Sequence, residues 1–540
     1  MPSERSQLLG RSGKKKWAQK IKPLRVSLAA LLLLLVVGSV SINYFQGGIR
    51  RESKKKNVIF FVTDGMGPAS LSLTRSFRQF RDSLDIDDIL NLDKRLIGSS
   101  RTRSSNSLIT DSAAGATAFS CALKSYNGAI GVNPTKDPCG TLLEAAKLNG
   151  LLTGLVVTTR ITDATPAAFS SHVDYRFQED LIAEQQLGGY PLGRMVDLMI
   201  GGGRTHFYTA ADSEYGSAGS RADGRNLIKE AKKNGWSYVG NIHEFHKLQQ
   251  GANVSLPLLA LLADYDIPFD IDRDEAIYPS LEEEAMTAVN ALSKATENSD
   301  KGFFLMIEGS RIDHAGHQND AAAQVREVLA FDKAFEAVRK FAEQSDDETI
   351  LIVTSDHETG GLVTAKQLGK DYPEYVWYPQ ALLNASHSGE YLSKKVLSYT
   401  GENKEEFIET SIFERDLGIV DYKRDDVKVL AELTSLGDIA DKLNLMVSDR
   451  ARVGWTTHGH SAVDVNIYAY ANRQSVWHQV LDNLQGNHEN IEIGQFMADY
   501  LDFNLTKVTE LVKKTKHSPA DHKIELLDNI AHHSGLLNDL

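Results

Sequence analysis

Five short stretches of the chain are almost unbrokenly apolar: 57–62, 151–157, 197–200, 302–307 and 349–354. Runs this short, without alternation and rich in β-branched and aromatic residues, predict strands buried on both faces of a largely parallel sheet. Helical stretches fall between them at 141–149 and 281–295, and a further helix over 113–123 is opened by Ser112. The alternation predicts an α/β fold, a doubly wound and largely parallel central sheet flanked by helices. Three of the runs end on carboxylates: Asp64 after the first, Glu308 after the fourth, and Asp356-His357 after the fifth. In open α/β sheets, ligands bind beyond the carboxyl ends of the strands.

The rhythm breaks over 366–450, where charged helical stretches predict an insertion or cap. The candidate ligands run from Asp64 to His458, so one catalytic domain over 57–500 must hold them all. The remainder, 501–540, reads as a removable tail, polar from Lys513, with a short amphipathic helix over 524–537.

The other end is of a different kind. Arg25 and Arg50 bracket twenty-four uncharged residues, whose apolar part, 26–45, is long enough to cross a hydrocarbon core of about 30 Å. Gly38-Ser39-Val40-Ser41 offers a cleavage site and hence a signal-peptide alternative, but the long preceding basic tail (1–25) favours an uncleaved anchor. Eight basic residues precede the span and five follow it, in the linker 46–56, so the N-terminus is expected in the cytosol and the body in a lumen. Glu4, Leu8 and Leu9 form an acidic dileucine pattern of the kind sorting adaptors read, which points to an endosomal or vacuolar membrane. Sequons at Asn253, Asn384 and Asn504 fit a translocated, glycosylated body.

Residues 1–56 carry a net +11 in a chain of net −13, which leaves −24 on the rest. So acidic a body argues against nucleic-acid binding. Two cysteines, Cys121 and Cys139, cannot build a Cys-rich zinc site; one disulfide or two buried thiols are both open.

The chemistry lies in short fragments. Asp313 and His317, four apart, face one side of a helix and can grip one cation. Asp356 and His357 are adjacent at a strand end, and His458 and His460 return late in the chain. Ser112 opens a helix whose free N–H groups attract anions, and Arg176 offers a fork for two phosphate oxygens. Each residue alone has an ordinary structural use; a serine such as Ser112, read alone, is more often a helix cap than a nucleophile.

Together, Asp64-Gly-Met-Gly, Asp111-Ser112-Ala-Ala-Gly-Ala-Thr, Asp163-Ala-Thr165-Pro, Glu308-Gly, Asp313-His314-Ala-Gly-His317, Asp356-His357-Glu-Thr-Gly-Gly and His458-Gly-His resemble the alkaline phosphatase family over 57 to about 500. The resemblance implies two zinc ions and one magnesium per subunit. Asp313, His317 and His458 would hold one zinc; Asp356, His357 and Asp64 the second. Asp64, Thr165 and Glu308 would hold magnesium, with Asp163 and His314 behind them, while His460 is not expected to be a ligand. Ser112 would be the nucleophile and Arg176 the phosphate clamp. The substrates implied are small phosphate monoesters and phosphoproteins, turned over at alkaline pH by a homodimer. One departure is the pairing of Asp163 with His314, which mixes the bacterial and animal patterns and leaves the third ion open. A sulfatase would need Pro and Arg soon after its nucleophile, and Ser112-Ala-Ala-Gly-Ala has neither. A diesterase would lack the Thr165 and Glu308 site. A zinc-storing protein would need a damaged nucleophile or clamp, and both residues are present.

Overall fold

The computed structural model describes residues 55–514, apart from 191, 213 and 215. The expected span over 26–45, the Glu4, Leu8 and Leu9 pattern and the helix over 524–537 lie outside the described residues. Among the described residues no helix is long and apolar enough to cross a membrane.

Among the described residues twelve strands occur in chain order. The first six are β1 (Lys56–Val62), β2 (Leu96–Arg101), β3 (Leu152–Arg160), β4 (Leu198–Gly202), β5 (Ser237–Val239) and β6 (Leu258–Leu261). Then come β7 (Phe303–Glu308), β8 (Glu348–Thr354), β9 (Glu358–Thr359), β10 (His460–Ser461), β11 (Val465–Ala471) and β12 (Gly486–Glu489). Ten of them form one sheet in the order β12-β2-β11-β8-β1-β7-β3-β4-β6-β5. Within it β11 alone runs against its neighbours, β8 and β2. The five runs predicted from sequence are β1, β3, β4, β7 and β8, and the first, fourth and fifth of these sit at or next to the centre.

Their unalternating character has a direct cause. Val58, Phe60 and Val62 of β1 enter one core, while Ile59 and Phe61 enter the other. The first core is closed by helices Ser112–Cys121, Leu142–Leu148 and Asn490–Tyr500, the second by Leu281–Ala295 and Ala321–Gln344. With apolar helices on both faces, neither set of alternate side chains can be polar.

Helices at 379–451 share a third core with Leu73, Phe77 and Val325. The stretch expected as a cap is therefore packed onto the two helices that carry those residues. The segment expected to begin a tail opens with helix Leu505–Lys514, whose Val508 and Val512 are buried against Ala145.

One buried group runs against the fold's interest. Glu284 is 0% exposed, and both its carboxylate oxygens lack a hydrogen bond. Burial, with Glu283 adding to it and Arg273 opposing, pushes its acid group well above the ordinary range. A carboxyl raised in the fold supports stability fully below its unfolded value of about 4.3 and loses that support as pH rises. Glu284→Met is therefore expected to raise Tm by a few degrees at pH 8, relieving on the order of 1–3 kcal/mol, and by less at pH 5. Equal shifts at both pH values would contradict this account.

Candidate active site

Parallel register delivers the acidic residues to one edge of the sheet. Val62 pairs with Glu308 of β7 and with Thr354 of β8, so Asp64, Glu308 and Asp356 leave three adjacent strands side by side. Two glycines permit the close approach that follows. Gly65 has a φ of +77°, and a Cβ there would lie 2.5 Å from the Asp313 Cα. A Cβ on Gly115 would meet the Asp356 Cβ at 2.9 Å, so the helix bearing Ser112 can rest on Asp356 only through glycine.

That helix, Ser112–Cys121, is capped by Asp111 rather than by Ser112. Asp111 Oδ1 accepts from the Ala114 N–H at 3.0 Å and Oδ2 from the Gly128 N–H at 2.9 Å. The serine hydroxyl is thereby released from capping. Ser112 is 2% exposed, and its Oγ lies 3.1 Å from His357 Nε2.

The histidine tautomers follow from what each Nδ1 touches. His317 Nδ1 meets the His458 carbonyl oxygen, and His460 Nδ1 meets that of Thr110 at 2.7 Å. A carbonyl oxygen can only accept, so both Nδ1 atoms carry the proton. His460 Nε2 and His317 Nε2 then stand 3.1 Å apart, a spacing that one cation beside both would accommodate. Thr359 Oγ1 donates its one hydrogen to Asp313 and so accepts from His357 Nδ1 at 3.1 Å. His357 Nε2 then faces Asp356 Oδ2 at 3.2 Å and Asp64 Oδ1 at 3.4 Å.

Two groups of potential ligands result: Asp313, His317 and His460, and Asp64, Asp313 and His357. In the first, Asp313 stands 3.3 Å from His317 Nε2 and 3.6 Å from His460 Nε2. Zinc bonds of about 2.0–2.1 Å place ligand atoms about 3.3 Å apart at tetrahedral corners, and these spacings fit. The groups abut, because the His357 and His460 rings stack at 3.4 Å.

Charge tells the same story. Burial, then Asp356, Asp313 and Glu308, push Asp64 well above the carboxylate range. Burial lifts Glu308 to about 8, against the opposing hydroxyls of Ser310 and Thr165. Burial pushes Asp313 up as well, but His317, His460 and His357 outweigh it and hold it well below its usual range. A pocket that crowds carboxylates and imidazoles in this way is chemically suited to cations.

Across the pocket, Arg176 donates to Asp163 at 3.1 Å and to Asp111 at 3.4 Å. Its guanidinium thus borders the cap of the Ser112 helix.

Residues 55–503 match the alkaline phosphatase family. The chain is 58% identical over 560 residues to the repressible alkaline phosphatase of Saccharomyces cerevisiae, covering 100% of this chain and 99% of that one. This chain belongs to the alkaline phosphatase family. The alkaline phosphatase of Schizosaccharomyces pombe is 46% identical over 95% of this chain and 94% of its own. The crystal structure of a cold-active alkaline phosphatase from a psychrophilic Shewanella superposes with a TM-score of 0.68 at 29% identity, covering 82% of this chain and 99% of that one.

In this phosphatase most of the predicted residues come together, and one does not. His458 is exposed; its Nδ1 donates to the His317 carbonyl at 2.8 Å, and its Nε2 faces Asn319. His460, two residues on, takes the place expected of His458. The cause is strand pairing, since β10 sets His460 opposite Thr359 of β9 and so beside His357. Thr165 lies beside Glu308, Ser310 donates to Glu308 at 2.7 Å, and His314 faces Asp266 at 3.6 Å. Cys121 and Cys139 form a disulfide. Asn253, Asn384 and Asn504 are exposed. Sequence reading missed Thr359 as the link between His357 and Asp313, although it lies within the quoted Asp356-His357-Glu-Thr motif.

Proposed function

We propose that this chain hydrolyses phosphate monoesters of broad variety through a phosphoserine on Ser112, most actively at alkaline pH. The observation that carries this is the convergence of one buried, uncapping serine with Arg176 and two abutting ligand groups in a single pocket. Asp313, His317 and His460 would hold one zinc, Asp356, His357 and Asp64 a second, and Asp64, Thr165 and Glu308 a magnesium, with Asp163 and His314 behind them. When bound, these cations supply Lewis-acid stabilisation of the attacking and leaving oxygens.

Ser112 Oγ gives up its proton to solvent and attacks phosphorus in line, the ester P–O bond breaks, and the leaving oxygen takes a proton from solvent and departs as the alcohol. Arg176 holds two non-bridging oxygens as a fork, and the first-turn N–H groups of the Ser112–Cys121 helix face the remaining charge. Water then displaces Ser112 from phosphorus and returns the free hydroxyl. Two displacements leave retained configuration. Ionised carboxylates and unprotonated Nε2 atoms are what hold cations, so activity rises with pH. Such a site grips phosphate and not the leaving group, hence the breadth of substrates, phosphoproteins included.

The Glu4, Leu8 and Leu9 pattern and the apolar span 26–45 support a vacuolar membrane setting. There the chain is a single-pass type II protein anchored by 26–45, with adaptor contacts at Glu4, Leu8 and Leu9. Its luminal body is glycosylated at Asn253, Asn384 and Asn504 and forms a homodimer.

Acid quenching of the holoenzyme with labelled substrate at mildly acidic pH, where the intermediate's hydrolysis slows, is expected to leave phosphate on the Ser112 peptide. Label on another residue, or none during steady turnover, would defeat the proposal.

A further inference from the structure

A buried ionic hub lies behind the clamp, centred on Arg160, the last residue of β3. Its side chain is 6% exposed and meets three carboxylates from three parts of the chain. Nη2 reaches Asp163 Oδ2 at 3.1 Å, Nε reaches Glu179 Oε2 at 3.0 Å, and Nη1 reaches Asp266 Oδ1 at 2.9 Å. The Arg160 backbone N–H also donates to Asp266 Oδ1 at 2.9 Å, and the Tyr265 ring lies against the guanidinium. Glu179 is held in turn by the Thr162 hydroxyl at 2.6 Å.

Asp163 divides its two oxygens. Oδ2 is held by Arg160, while Oδ1 accepts from its neighbour Ala164 at 2.7 Å and from Arg176 Nη2 at 3.1 Å. We infer, given Arg176 as the phosphate clamp of the proposed reaction, that Arg160 is a positioning residue which acts through Asp163 to keep the Arg176 fork open toward phosphate. With Oδ2 occupied, Asp163 can offer Arg176 one oxygen only. Without Arg160, both oxygens are free for a bidentate pair with Arg176, the strongest geometry available to the two groups. The fork would then turn from substrate to Asp163. Three carboxylates around one planar guanidinium also exclude lysine as an equal, since an ammonium cannot meet all three directions in a plane.

The test uses the full-length, zinc- and magnesium-loaded enzyme with p-nitrophenyl phosphate, and inorganic phosphate as the ligand. Arg160→Met is expected to raise KM and the dissociation constant of phosphate, measured also by calorimetry, about tenfold, with kcat within about threefold. Arg160→Lys is expected to recover part of that loss. In an Asp163→Asn background, Arg160→Met is expected to add nothing further, because the path is already cut. Unchanged phosphate affinity in Arg160→Met, even with a lowered Tm, would overturn the inference, as would an equal rise in the Asp163→Asn background. If Arg160→Met fails to fold, Arg160→Lys enters the same cycle. Arg176→Ala separates the two levels. If it leaves phosphate affinity intact, the clamp itself is wrong; if it weakens phosphate while Arg160→Met does not, only the role of Arg160 fails.

Discussion

Ser112→Ala is expected to lower kcat/KM for p-nitrophenyl phosphate by at least ~10³-fold. The substitution removes one hydroxyl from a residue that is 2% exposed and already followed by two alanines, so the helix keeps its shape. The cap is Asp111, which is untouched, and stability should stay within about 1 kcal/mol. Metal content should be unchanged, because the histidine and carboxylate groups remain. What is lost, on the proposed mechanism, is the oxygen that forms the covalent bond to phosphorus, and direct attack by water from the same pocket is left to supply the residual rate. Turnover within tenfold of the parent, with metals retained, would show that the nucleophile lies elsewhere.

The second large effect separates two histidines that sequence alone does not distinguish. His460→Ala is expected to release zinc and reduce kcat by about 10²–10³-fold, in keeping with loss of a ligand or its close support. His458→Ala should keep its metal and stay within about threefold, as expected for an exposed side chain whose main contribution is a backbone oxygen. Metal analysis beside activity decides the matter. The reverse ranking would mean that the β9–β10 pairing misplaces these residues, and with it the first zinc group.

The difficulty at that position is instructive. His458 and His460 are two apart, so in any extended segment they share a face, and spacing cannot choose between them. The choice is made by the bridge between His460 and Thr359, a contact between residues about a hundred apart in the chain. Thr359 escaped notice for a related reason: a hydroxyl gains its meaning from the Asp313 and His357 atoms on either side of it.

Local composition was enough for five of the ten strands of the main sheet and for the strand-end carboxylates, because a segment buried on two faces has no freedom to be polar. It also sufficed for Asp313 with His317, whose four-residue spacing is a property of one helix. Other features depend on partners remote along the chain and were settled by packing: the reversed β11, the release of Ser112 by the Asp111 cap, the burial of Val508 and Val512, and the Arg160 hub. Periodicity reports how a segment meets water, whereas tautomers, ion-pair geometry and the choice of a ligand are set by which distant atoms arrive within about 3 Å of one another.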